Sequence, residues 1–343
     1  MRTTTARMKS KMTKNKTRNR RGGKYGSNGG KQSGSKQSGI KKQQGQTQGQ
    51  TQGQQQSSKK RQTNCSPIPI GDRNNKLDKK TCYSMDDLTR LKAAWNKRNP
   101  TNLITNTSQS ELIDELTNKF AKTCSNEQCW YKQFADVNEL KGVSELFAPT
   151  SPASWKSNPN EWLSSSDIED VMKQYSKIYK CFQFYGPAPI DFDKVINGSC
   201  VTNSLCNINI KQLMESGKFK VGISLNTDPH NKGGEHWISI FINIKRGIIF
   251  FFDSAGDKAP KQVVALSDRI IKQGLVLKPP IKFKFDQNYP KQHQYTTSEC
   301  GMYSLYFIVS MLEDKLTQRY LKTRVITDTH MQKLRKIYYN ESE

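Results

Sequence analysis

The chain has 343 residues, with 55 Lys and Arg against 30 Asp and Glu and a formal net charge of +25. That length suits one large domain or two smaller ones; no run of about 18 apolar residues predicts a membrane span, and the amino terminus lacks the apolar core of a secretory signal. Eight cysteines (65, 82, 124, 129, 181, 200, 206 and 300) in such a chain do not read as a disulfide scaffold, so mostly free thiols and a reducing compartment, cytoplasmic or nuclear, are expected.

The charge is unevenly placed. Residues 1–63 hold 17 of the basic residues and none of the acidic ones. Lys, Arg, Gln, Gly, Ser, Thr and Asn dominate them, with the near-repeat Gln-Gly-Gln-Thr-Gln-Gly-Gln at 44–50. So little there can be buried that a disordered tail is expected. Its charge suits non-specific, salt-sensitive contact with nucleic acid. Tyr25 is its one aromatic, so base stacking is not suggested.

Residues 64–148 read as a helical extension. Ser84 and the acidic pair after it precede Leu88, Leu91 and Trp95 at helical spacing, and Asn99-Pro100 ends that helix. Ser108 or Ser110 begins a second helix, with Leu112, Ile113, Leu116 and Phe120 on one face, and a third short one is expected near 130–141. Cys124 and Cys129 lack the further His or Cys pair of a zinc site, so they read as structural thiols.

The segment 149–343 reads as the catalytic domain. A Pro/Ser/Asn-rich connector leads to Trp162-Leu163, and Ser166 with Glu169 suggests a capping box for a helix burying Ile168, Val171, Met172 and Tyr175. A further helix is expected over 203–214 and a strand over 219–225. His236 to Ile244, then Lys245-Arg246-Gly247, then Ile248 to Asp253 spell a hairpin of two apolar strands. Pro260 opens a helix that Gly274 ends; Ile281, Phe283 and Phe285 alternate as a strand; a last helix starts near Asp328.

The hairpin carries the first chemical signal. His236 opens one strand and Asp253 closes the other, and in an antiparallel pair those ends are neighbours. The second signal is Cys300, where a polar segment turns into a helix bearing Met302, Leu305, Tyr306, Val309 and Leu312, with Thr297 or Ser298 as candidate cap. The first turn of a helix favours an anionic sulfur, and Gly301 is expected to leave room for a substrate backbone. Cys, His and Asp form a nucleophilic triad: a thiolate to attack, an imidazole to move the proton, a carboxylate to orient it. A histidine in a strand is usually a satisfied core residue. Here Gly233-Gly234 precedes it, Trp237 follows it, and the aspartate lies one hairpin away.

These motifs resemble the cysteine proteases of the Ulp1/adenain superfamily, which holds SUMO-deconjugating enzymes and adenovirus-type maturation proteases. His236-Trp237 matches the family's His-Trp pair, Asp253 with Ser254 its aspartate, and Cys300-Gly301 the start of its central helix. Gln294 stands where the family keeps the glutamine of its oxyanion hole. Gln292 also flanks His293, so that position is ambiguous by two residues, and the spacing favours Gln294. Glu299 replaces the family's usual Asp. Trp162-Leu163 resembles the pair that opens the family's first core helix, and the match spans about 150–312. The resemblance implies an α+β, papain-like core: a mixed, largely antiparallel sheet flanked by helices, working without metal or cofactor. It implies a thiol endopeptidase with Cys300, His236, Asp253 and Gln294 as catalytic groups. Trp162 and Trp237 would face each other across a slot for Gly-Gly-type protein substrates. The extension and tail resemble the proteases of large DNA viruses that process virion precursors, which implies the virion and host cytoplasm. Removal of SUMO- or ubiquitin-like modifiers and Cys-His acyl transfer are the competing activities.

Overall fold

The computed structural model describes residues 63–68, 81–134 and 138–342. The basic segment, up to residue 62, and the nucleic-acid contact expected of it lie outside the described residues.

Three helices open the described chain: α1 (Met85–Arg98), α2 (Gln109–Phe120) and α3 (Gln128–Lys132). Ser84 caps α1 in a reciprocal capping box with Asp87, and Lys97 and Arg98 sit at the opposite dipole end. Ser108, rather than Ser110, caps α2, whose Leu112, Ile113, Leu116 and Phe120 are buried as the spacing predicts. These faces close on Tyr83, Trp130, Phe134 and Phe147 in a core of their own. Tyr83 stacks on Trp130 with ring centroids 5.7 Å apart.

The expectation of mostly free thiols is corrected here. Disulfides join Cys65 to Cys82, Cys124 to Cys129 and Cys200 to Cys206, leaving Cys181 and Cys300 as thiols. Two of the pairs are only 5 and 6 residues apart in sequence, so local chain reversal alone brings them together. The third closes when Cys65 bridges to Phe147, which shares a core with Cys82 just ahead of α1.

The remainder runs α4 (Ser165–Ile178), β1 (Phe182–Pro189), β2 (Val195–Ile196), β3 (Ser199–Cys200), α5 (Asn203–Cys206), α6 (Ile210–Glu215), β4 (Lys220–Asn226), β5 (Trp237–Asn243), β6 (Ile248–Phe252), α7 (Lys261–Leu275), β7 (Lys284–Gln287), α8 (Cys300–Leu312), α9 (Gln318–Thr323) and α10 (Asp328–Tyr338). The single helix expected over 203–214 is thus two short ones, and the strand around 281–285 begins only at Lys284. The capping box of α4 is Ser164 with Asp167, two residues before the Ser166–Glu169 pair; the buried face is the expected one. Any of the three consecutive serines could cap a helix, and Leu163 packing inward selects the first.

The main sheet has the order β1-β4-β5-β6-β7. Its centre, β4-β5-β6, is antiparallel, and both outer strands pair in parallel. Helices cover both faces, which is why its strands read as unbroken apolar runs rather than alternating ones. Along β5, Trp237 and Phe241 enter the core shared with α4, α8 and α10, while Ile238, Ile240 and Ile242 enter the opposite one. Every residue of α8 except Tyr306 is buried, so this helix is the axle of the domain and not an amphipathic surface element. It lies against the sheet closely enough that a Cβ on Gly222 would stand 2.6 Å from Ile308 Cγ2. Its Ser304 hydroxyl meets Ser224 and Ser239 of the strands, so three buried hydroxyls satisfy one another.

Candidate active site

The hairpin β5–β6 sets the first pair. Its register places Ser239 opposite Phe252 and Asn243 opposite Ile248. His236 therefore stands just ahead of one strand and Asp253 just past the end of the other. Gly247 turns the loop at φ +62°, where a Cβ would meet Lys282 O at 2.8 Å, so only glycine serves there. The result is a contact of 2.7 Å between His236 Nε2 and Asp253 Oδ1. The carboxylate is held from behind: Asp253 Oδ1 also accepts from the Ala255 N–H at 2.8 Å. Asn288, fully buried, accepts from the Asp253 N–H at 2.9 Å and donates to its carbonyl at 2.7 Å.

With Nε2 committed to Asp253, Nδ1 is the nitrogen left for Cys300, and the thiol lies within hydrogen-bonding reach of the imidazole. Burial, the largest single influence, lowers the imidazole's pKa. The hydrogen bonds and charges of Asp253 and Cys300 together outweigh it and push His236 up to about 10. The arrangement thus favours an imidazolium held between Asp253 and Cys300.

Cys300 is the first residue of α8 and only 3% exposed. The residue at the cap is Glu299, which makes no capping hydrogen bond, so neither Thr297 nor Ser298 plays the expected part. Glu299 is fully buried instead and takes Arg335 Nε on its Oε2 at 2.9 Å. Burial raises its carboxyl above the usual range, and the Arg335 charge opposes that. Gly301 also differs from its expected role. A Cβ there would stand 2.7 Å from Leu163 Cβ, so the space is filled by protein and not kept for substrate. Leu163 is doubly placed, because its carbonyl accepts from Trp237 Nε1 at 2.9 Å.

The two glutamines separate clearly. Gln294 is buried; its Oε1 accepts from Ser254 Oγ and its Nε2 donates to Thr296 O, both at 2.7 Å. One Nε2 hydrogen remains for a ligand. Gln292 spends its amide on the Gln294 carbonyl at 2.7 Å. His293 cannot serve as a base. It is fully buried, its Nδ1 accepts from the Ile326 N–H at 3.1 Å, and its Nε2 meets Leu321 O at 2.9 Å. Burial holds its pKa below the ordinary value, so it is a neutral core histidine.

Trp162 precedes α4 by three residues and is 50% exposed, whereas Trp237 is 8% exposed. Both line one cavity of about 670 Å³, with Ser164, Pro187, Gly234 and Glu235 among its other walls. It reaches the two neighbours of His236 in the chain. For a metal, Cys65, Cys82 and Glu127 converge within 4.8 Å, but the sulfurs are bonded to each other and Glu127 accepts from the Cys82 N–H at 2.9 Å. Sequence reasoning missed Asn288 and Arg335, and it named Leu163 only with Trp162, without its contacts to Gly301 and Trp237. Their partners lie far along the chain, and no local pattern marks them.

Residues 224–343 match the Ulp1 protease family, C-terminal catalytic domain. A protein of Acanthamoeba polyphaga mimivirus, named as a thiol protease, is 30% identical over 270 residues, covering 72% of this chain and 84% of the relative. A cysteine protease of African swine fever virus is 27% identical over 254 residues, covering 66% of this chain and 87% of the relative. A crystal structure of an African swine fever virus protease superposes with a TM-score of 0.57 at 20% identity, covering 82% of this chain and 96% of that one. No helix among the described residues is long and apolar enough to cross a membrane.

Proposed function

The chain belongs to the Ulp1 protease family, and from that premise we propose that it is a thiol endopeptidase worked by Cys300, His236, Asp253 and Gln294. The observation that carries the assignment is the imidazole fixed to Asp253 at 2.7 Å with Cys300 on its other side. The Cys300 sulfur attacks the scissile carbonyl carbon. The Cys300 N–H and the remaining Gln294 Nε2 hydrogen receive the oxyanion. Collapse breaks the C–N bond, His236 gives its proton to the departing amine, and a thioester remains. His236 then takes a proton from water, which attacks the thioester and releases the acid and the thiol.

The substrate we propose is a protein cut after a Gly-Gly-type site. Supporting this is the cavity that Trp162 and Trp237 both line, ending beside the base. Two indole walls leave little width for side chains before the cut. The relatives are viral enzymes, which favours virion precursors as the target and the virion and host cytoplasm as the place. One African swine fever virus relative carries the name SUMO-1 cysteine protease, which favours a second target, the carboxyl-terminal Gly-Gly of a ubiquitin-like modifier.

A vinyl sulfone probe ending in Gly-Gly tests the enzyme reading: covalent labelling of Cys300, abolished by Cys300→Ala, is expected, and labelling of Cys181 instead would reject it. Peptides with Gly-Gly or Ala-Ala before the cut test the slot by kcat/KM. Equal rates on both would end the Gly-Gly assignment. A modifier-derived substrate cut far faster than any short peptide would favour the second target.

A further inference from the structure

The part proposed for Gln294 depends on which end of its amide faces the substrate. Ser254 Oγ meets Oε1 at 2.7 Å, but a hydroxyl donates or accepts and would suit either end. The Thr296 carbonyl can only accept, and it takes Nε2 at 2.7 Å. Of the two contacts, only the carbonyl tells nitrogen from oxygen. With it in place, the second Nε2 hydrogen is offered to an oxyanion. With it displaced, the amide can turn over and present an oxygen to a developing negative charge.

Thr296 lies on an exposed stretch, 295–297, in which Tyr295 is 69% exposed. Its anchor comes from the first residue of α10. Asp328 Oδ2 accepts from the Tyr295 N–H at 3.0 Å and from the Thr296 N–H at 3.1 Å. Asp328 Oδ1 lies 3.1 Å from the hydroxyl of Tyr303, a fully buried residue of α8. That hydroxyl also has Ile326 O at 2.9 Å and His293 O at 3.1 Å. An acidic residue in a first helical turn ordinarily complements its own helix dipole. Here Thr327 caps α10, and both Asp328 oxygens bond outside the helix. Bonds to an ionised acceptor are roughly twice as strong as neutral ones, so one carboxylate can hold a loop that faces solvent.

We propose that Asp328 is a positioning residue for the oxyanion donor. Its carboxylate fixes the amides of Tyr295 and Thr296, and the Thr296 carbonyl then keeps Gln294 Nε2 turned towards the substrate. Asp328 acts only through this loop. The proposal rests on the peptidase reading of the site.

The test is a double-mutant cycle in the full chain, using whichever of the Gly-Gly and Ala-Ala peptides the parent cuts faster. Asp328→Ala should lower kcat about ten- to a hundredfold, the scale of a misplaced group, with KM little changed. Asp328→Asn should recover most of that loss, because its Oδ1 can still accept both N–H groups while its Nδ2 donates to the Tyr303 hydroxyl oxygen. In a Gln294→Ala background, Asp328→Ala should cost nothing further. Alkylation of Cys300 by iodoacetamide forms no oxyanion, so its rate should match the parent's in every variant. An Asp328→Ala enzyme with the parent's kcat would overturn the proposal. Losses that multiply in the double variant would overturn it too, since Asp328 would then act elsewhere than through Gln294. A changed alkylation rate in Asp328→Ala, whether from a misaimed sulfur or a loosened fold, would likewise overturn it. A parent that cuts neither peptide, with Cys300→Ala no different, would overturn the peptidase reading and this proposal together.

Discussion

His236 carries a proton over a wider pH range than a free imidazole, and two predictions follow from that charge. The unfolded reference is 6.5 and the folded value about 10, so between them the folded state binds more protons than the unfolded one. The stabilisation is fully present below pH 6.5 and is lost as pH rises through about 10. Urea unfolding of the parent and of His236→Gln should therefore give a stability difference that shrinks across this window. A difference constant with pH would show that the charged pair is not formed. The second prediction grades the proposed catalytic groups. Cys300→Ala and His236→Ala should both abolish peptide cleavage; Asp253→Asn should leave more activity, since orientation is less costly to lose than proton transfer. Gln294→Ala should lower kcat about 10²–10³-fold, the usual size for one oxyanion donor. Gln292→Ala should do far less, because its amide supports only the Gln294 carbonyl.

At the scale of elements, the contact between α8 and the residue before the α4 cap decides whether Cys300 is aimed correctly. Gly301→Ala would drive a methyl into Leu163. It should cost about 1–3 kcal/mol of stability and lower kcat, while adding Leu163→Gly, which removes the Cβ it meets, should recover part of the loss. Denaturation of the two single variants and the double one measures the coupling; strict additivity would show that the two do not meet. This is also where sequence reasoning reaches its limit. The β5–β6 hairpin was legible because apolar strands and a glycine turn are local, and with it the pairing of His236 and Asp253. The start of α8 was legible from the change of polarity at Cys300. The reason for Gly301 was not, because it is set by a leucine from another element. Glu299 reads as a polar residue before a helix, and only the fold buries it against Arg335. The disulfides escaped for a different reason: cysteine spacing was tested against zinc patterns, and short-range pairing leaves no pattern of that kind.

At the scale of the molecule, buried amide contacts join the two ends of the described chain. Asn340 is 3% exposed; its Nδ2 donates to Asn64 O at 2.9 Å and Ala148 O at 3.1 Å, and its Oδ1 accepts from the Asn64 N–H. Asn340→Ala leaves those backbone groups unmet and should cost about 1–3 kcal/mol, read as a lower urea midpoint with catalysis on a short peptide intact at low temperature. The segment before Thr63 belongs to a different account, since it holds 17 of the 55 basic residues and no acidic one. Removing residues 1–62 should spare peptide cleavage. It should weaken binding to duplex DNA and flatten the dependence of that binding on salt. A truncation that destroys cleavage would make the segment part of the active fold.

The ion pair between Arg335 and Glu299 also makes the site depend on a helix that contributes no group to it. In chain order α10 follows His236, Asp253 and Cys300, so a chain cut short before Asp328 would keep those three residues and leave the buried carboxylate beside Cys300 without its counter-charge. Chains truncated before Asp328 should therefore resist an active-site probe that labels the full chain within minutes, and prompt labelling of the truncated chain would show that α10 is not required for assembly of the site.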